Sequence, residues 1–214
     1  MNWTKKASCA AAGFLLLALP AHSQTGSSSD NLNRYEAMVV WSIHQGNQTE
    51  IAMANLAKDQ SASKNVKDFA DRIIQDHRSA EAQVQAYARS HKINLGELAR
   101  QLADMSREQI ELERRARTVG SATGEYAWTW EPAIKSADED RTQMGKLRKL
   151  EGPDFDRQFA RAMVNDHQMM IDQLTDARAR TTDSDLRSLI DKVLPTFRQH
   201  LSMAQKLQLV VSKA

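Results

Sequence analysis

The sequence predicts an all-α protein: a four-helix bundle with an extra helical insertion between its second and third helices. Three observations predict it. Only 8 Gly and 4 Pro fall in 214 residues, so helix breakers are sparse, and the plentiful Ala, Leu, Gln, Lys and Arg are residues that helices favour. Several segments repeat apolar residues at three-or-four spacing, in one case for more than five turns, as helices with one buried face do. A nine-residue pattern also recurs ninety positions along the chain, which suggests two related helical hairpins. Hydrophobic residues make up 41%, enough for one packed core and too few for a membrane bundle.

The first residues form no part of that bundle. Lys5 and Lys6 precede an apolar run from Ala7 to Ala21, and the small Ala21 and Ser23 precede Gln24, so residues 1–23 read as a cleaved secretory signal. The run is shorter than the roughly 20 apolar residues that span a bilayer. No integral membrane span is expected after cleavage. Residues 24–34 are rich in Gly, Ser and Asn and read as a disordered leader, which places the bundle at 35–214.

Helix A begins near Tyr35 and carries Val40, Ile43, Ile51, Ala54 and Ala57, until Ser61 to Ser63 interrupt it. Helix B runs from about Lys64 to His91 with Val66, Phe69, Ile73, His77, Ala80, Val84 and Tyr87 on one face. The insertion, about 95–137, contains an amphipathic helix marked by Leu95, Leu98, Leu102, Met105 and Leu112. It then presents Tyr126, Trp128 and Trp130 at alternate positions, rings that either seal one side of the bundle or form a lid or stacking surface. Helix C opens at Gly152-Pro153-Asp154, where an early Pro and a first-turn Asp are start signals. Phe155, Phe159, Met163, His167, Met170, Leu174 and Ala177 form its apolar face. After a break at Thr181 to Ser184, helix D carries Leu186, Leu189, Val193, Phe197, His200, Ala204, Leu207 and Val211, and Pro195 should bend it.

The formal charge of +2 arises from 29 Lys+Arg and 27 Asp+Glu. Removing the signal takes away Lys5 and Lys6 and no acid, which leaves 27 basic residues against 27 acidic ones. A balanced chain with no basic stripe excludes a nucleic-acid partner. Cys9, the single cysteine, also leaves with the signal, so no disulfide supports the bundle in an oxidising compartment. Without Cys-x-x-Cys-His there is no c-type haem, and no phosphate loop, Cys nucleophile or Ser-His-Asp order is present.

The repeated pattern is Phe-Ala-x-x-apolar-apolar-amide-Asp-His, at Phe69 to His77 and Phe159 to His167. In both copies the histidine falls on the buried face. A buried imidazole needs a partner for each ring nitrogen, so the polar residues on the apolar faces, Glu50, His77, His167 and His200, call for an explanation. At 1.5 Å per residue, Glu50 and His77 lie about 17 and 21 Å from the A–B break, and His167 and His200 about 21 and 25 Å from the C–D break. All four can share one mid-bundle layer, one from each helix, as metal sites in bundle cores are built. The bland alternative is that each is a core residue bonded to a neighbouring helix.

Imidazole with carboxylate suits iron, zinc or copper. Met53, Met163, Met170 and Met203 stand close by in sequence and would be soft ligands for Cu(I), although Met is also the usual gap-filler of cores. Asp76 and Asp166 sit one residue, hence about 100°, around the helix from their histidines, and are expected to orient ligands rather than bind metal.

Together, Glu50-Ile51-Ala52-Met53-Ala54-Asn55-Leu56-Ala57, Phe69 to His77, Gly152-Pro153-Asp154-Phe155-Asp156, Met163 to His167 and Leu194 to Leu201 resemble a bacterial envelope family, domain of unknown function 4142. The resemblance covers about Val40 to Leu207, with the insertion as an addition to shorter members. It implies a ferritin-like bundle in the periplasm, with outer-membrane association as a further expectation, and no assigned activity. Di-iron proteins of ferritin type carry Glu-x-x-His on two helices, whereas here Ile74 and Phe197 stand three residues before His77 and His200. Di-iron oxygen chemistry is therefore not expected. Metal handling or envelope stress is the leading functional expectation. A metal-free interaction module with an envelope partner and a metal-dependent enzyme stay open, as does the oligomeric state.

Overall fold

The computed structural model describes residues 28–104 and 131–213, with side chains over 34–104 and 139–213. Its helices are α1 (Ser28–Gln60), α2 (Lys64–Ser90), α3 (Leu95–Asp104), α4 (Glu131–Leu147), α5 (Gly152–Arg180) and α6 (Ser184–Val211). Among the described residues there is no strand, as the sparse helix breakers require. The predicted signal at 1–23 lies outside the described residues, as do Tyr126, Trp128 and Trp130 and the far end of the helix expected after Leu95. Two boundaries differ from the sequence reading. Helix α1 starts at Ser28, within the expected leader, because Ser28 to Arg34 contain no Pro or Gly to stop the helix extending backwards. Helix α4 runs past 137 to Leu147, which is fully buried and ties the insertion into the core.

Two tight hairpins form the bundle, α1 with α2 and α5 with α6, joined side by side through α2–α6 and α1–α5 contacts. Their turns use the same chemistry. The Ser61 hydroxyl accepts the Ser63 backbone N–H at 3.0 Å, and the Thr181 hydroxyl accepts that of Asp183 at 3.1 Å, small side chains replacing the helical ladder for one step. Asp183 then caps α6 by accepting the Leu186 N–H at 2.6 Å. At the start of α5, Gly152 takes φ +57°, which favours glycine, and Pro153 and Asp154 occupy the first turn as expected. Pro195 lies inside α6, and the helix continues through it to Val211.

The buried and exposed positions over 61–80 recur one for one over 181–200. The hairpins are thus related with Ser61 opposite Thr181, a register other than that of the ninety-residue echo. The echo joins α2 to α5, which sit diagonally across the bundle. Phe69 faces Phe159 with ring centroids 6.1 Å apart, and His77 faces His167 at 5.7 Å. Both helices therefore run the same way at the same depth. The chain must return along the whole bundle between them, the single long crossover of ferritin-like folds, and α3 and α4 lie on that path against α1.

Apolar burial divides into two clusters. One gathers Ala57, Val66, Phe69, Ile73, Leu147, Phe155, Phe159 and Met163 near the α1–α2 turn. The other gathers Ile43, Val84, Leu174, Leu186, Ile190 and Phe197 toward the α5–α6 turn. Phe159 is fully buried, with Phe69 and Phe155 against it at 6.1 and 5.9 Å. Phe159→Ala should cost about 3–5 kcal/mol of unfolding free energy, readable as a lowered urea midpoint with unchanged slope.

Candidate metal centre

Between the two apolar clusters lies a polar layer. Glu50 enters it from α1, His77 from α2, His167 from α5 and His200 from α6, with exposures of 5, 1, 0 and 0%. The depths counted along the sequence thus bring all four together. The three histidines offer ring nitrogens within 4.8 Å of one another. Glu50 Oε2 lies 2.9 Å from His77 Nε2 and 3.1 Å from His167 Nε2, and His167 Nε2 lies 3.2 Å from His200 Nδ1. Bonds of about 2.0–2.1 Å at tetrahedral angles place neighbouring donor atoms about 3.3 Å apart, close to these spacings. The 2.9 Å approach of Glu50 Oε2 to His77 Nε2 is an ion-pair distance without hydrogen-bond alignment, and neither atom has a hydrogen-bond partner.

The outward-facing nitrogens define the inward-facing ones. His167 Nδ1 is 2.8 Å from the Met163 carbonyl, which can only accept, so the proton is on Nδ1 and Nε2 has a bare lone pair. His200 Nε2 is 2.9 Å from Asp76 Oδ2, an oxygen that also accepts from Arg72 Nε at 2.6 Å. His200 must then donate from Nε2, leaving Nδ1 bare toward His167. His77 Nδ1 contacts the side-chain amide of Asn47 at 2.9 Å. Phe197 closes one side of the layer, 5.3 Å from the His77 ring and 6.1 Å from that of His167.

Burial opposes charge on two of the rings. It holds the His167 imidazole below its ordinary range, with Glu50 pulling the other way, and pushes His200 down to about 4 despite its bond to Asp76. Imidazoles around a carboxylate form a ligand set for a transition metal. Buried His77, His167, His200 and Glu50 could therefore hold such an ion.

The sequence model of a family described as "Domain of unknown function (DUF4142)" matches residues 21–207. The chain belongs to this family. No curated protein and no solved structure matches it. The DUF4142 description carries no activity, so chemistry has to be read from the side chains.

Of the two aspartates expected to orient ligands, only Asp76 contacts a histidine of the layer, and it is His200 on α6, not its neighbour His77. Asp166 bonds to none of the three. One step along α5 turns it away from His167 toward α1 and α4, and its Oδ2 is buried without a partner. Burial first, then the nearby Glu50, Asp140 and Glu139 carboxylates, push it up to about 8. Asp140 on α4 is likewise raised to about 6, chiefly by burial. The methionines belong to the apolar clusters: Met53, Met163 and Met203 pack in or against one and Met170 in the other.

Sequence reasoning missed Asn47, Glu81 and His44. Asn47 is fully buried, donates to Glu81 Oε2 at 3.2 Å and reaches His77. Glu81 also receives His44 Nδ1 and Gln85 Nε2, both at 2.7 Å. Their signal was present: Asn47 stands three before Glu50 and Glu81 four after His77, each a polar residue on the same helix face as a member of the layer.

In metal-free protein, Asp166 makes an alkaline-sensitive site. Its folded pKa of about 8 lies above the ordinary 3.8, so its contribution is present in acid and lost as pH rises through about 8. Asp166→Asn should therefore gain stability over the unsubstituted protein as pH rises from about 4, levelling off above pH 8. Urea unfolding of both chelator-treated proteins across pH 4–9 checks this; a pH-independent difference would contradict it.

Proposed function

We propose that this DUF4142 protein is an exported helical bundle that holds one transition-metal ion, iron, zinc or copper, through Glu50, His77, His167 and His200. The role we assign is metal handling or the envelope's response to stress. One observation carries the metal reading: His167 Nε2 and His200 Nδ1 face each other at 3.2 Å with no hydrogen between them, since each ring spends its proton on an outer acceptor. Two lone pairs beside a carboxylate repel unless a cation lies among them. A proton is a poor candidate because burial depresses both rings, and a metal ion satisfies all the donors together.

Export is supported by Lys5, Lys6 and the apolar run to Ala21. No helix among the described residues is long and apolar enough to cross a membrane. A metal in this layer would be ringed by three nitrogens and an oxygen of the protein, a set suited to retaining the ion.

Elemental analysis of protein purified from its own host, beside a His77→Ala, His167→Ala double variant, tests the reading. One metal per chain in the unsubstituted protein and none in the variant is the expected result. No metal in either, with helicity retained, would sink it and leave a polar layer that only sets helix register.

A further inference from the structure

His167 and His200 have outer partners that can only accept a hydrogen bond, a backbone carbonyl and a carboxylate. His77 is different. Its outer partner is an amide, and an amide can turn either its oxygen or its nitrogen to the ring. The inner side of the ring adds to the ambiguity, because Glu50 Oε2 lies only 2.9 Å from Nε2. A proton on Nε2 would find a charged acceptor there, the stronger class of hydrogen bond, and would occupy the lone pair that a metal needs.

The amide's far side settles the choice. Asn47 Nδ2 is 3.2 Å from Glu81 Oε2. An ionised carboxylate only accepts, so the nitrogen must face Glu81 and the oxygen must face His77 Nδ1, 2.9 Å away. Turning the amide over would set its oxygen against the carboxylate and lose that bond. Glu81 is itself held in place by His44 Nδ1 and Gln85 Nε2, each at 2.7 Å. Only 9% of Glu81 is exposed, so water cannot easily substitute for these partners.

We infer that Asn47 and Glu81 act as a positioning pair: Glu81 orients the Asn47 amide, and the amide fixes His77 in the tautomer whose Nε2 lone pair faces the metal site. This rests on the metal reading for its purpose, but the tautomer belongs to the metal-free protein.

Imidazole ¹⁵N spectra of the chelator-treated protein test the pair. The unsubstituted chain should show His77 protonated at Nδ1 and bare at Nε2. Asn47→Leu and Glu81→Met should each move the proton toward Nε2 and weaken Zn²⁺ binding, measured by calorimetry, about 10–100-fold. A purely structural role would lower the melting temperature without moving the tautomer. His77 protonated at Nε2 in the unsubstituted protein, which needs no variant to fold, overturns the inference, as does an unmoved tautomer in folded Glu81→Met. Expected tautomers with no Zn²⁺ uptake would support the pair and count against the metal reading instead.

Discussion

Three imidazoles and a carboxylate share the middle of this bundle, each at most 5% exposed, and the rest of the structure is arranged around keeping them satisfied. An unpaired buried polar group costs about 1–3 kcal/mol, so a layer of four is tenable only with an outer partner for each ring and a common solution at the centre. The fold supplies the outer partners from all sides: a carbonyl one turn back on α5, an aspartate on α2 and an asparagine on α1. The apolar core consequently divides into two clusters. Two dry ends hold the helices in register, and that register is what brings side chains from four helices within bonding distance.

The diagonal relation of α2 and α5 explains why an echo in sequence yields unequal chemistry. Asp76 and Asp166 occupy matching places on these two helices, each one step round from its histidine. From α2 the step reaches α6 and meets an imidazole, which makes an ion-supported hydrogen bond. From α5 it turns toward α1 and meets Glu50, another carboxylate, with Asp140 beyond it. One repeat unit thus becomes an orienting group and the other a buried acid beside other carboxylates, because the partner helices differ at that level: His200 on one and Glu50 on the other.

The single crossover is what ferritin-like bundles and this one share, while the ligand set separates them. A centre built on two Glu-x-x-His pairs is rich in carboxylates and holds two irons. Ile74 and Phe197 occupy the places where those glutamates would stand, and Phe197 packs against the rings of His77 and His167 instead. What results is a nitrogen-rich layer, apolar on one side, that could hold a metal ion.

How much of this was legible in the chain follows from the range of each interaction. Helical period, breaks at Ser61 and Thr181 and the depths of Glu50, His77, His167 and His200 depend on residues a few positions apart, so counting along the sequence sufficed to place these four side chains in one layer. Asn47 and Glu81 were within reach of the same count but carry no ligand signature of their own. The fate of Asp166, the bond from Asp76 to His200, the burial of the methionines in apolar clusters and the tautomer of each ring depend on which helix stands beside which, and at what rotation. Packing sets those quantities. Sequence determined that four polar side chains would meet at mid-bundle; only the tertiary structure decided which atoms of them face one another, because hydrogen-bond direction is a property of neighbours in space.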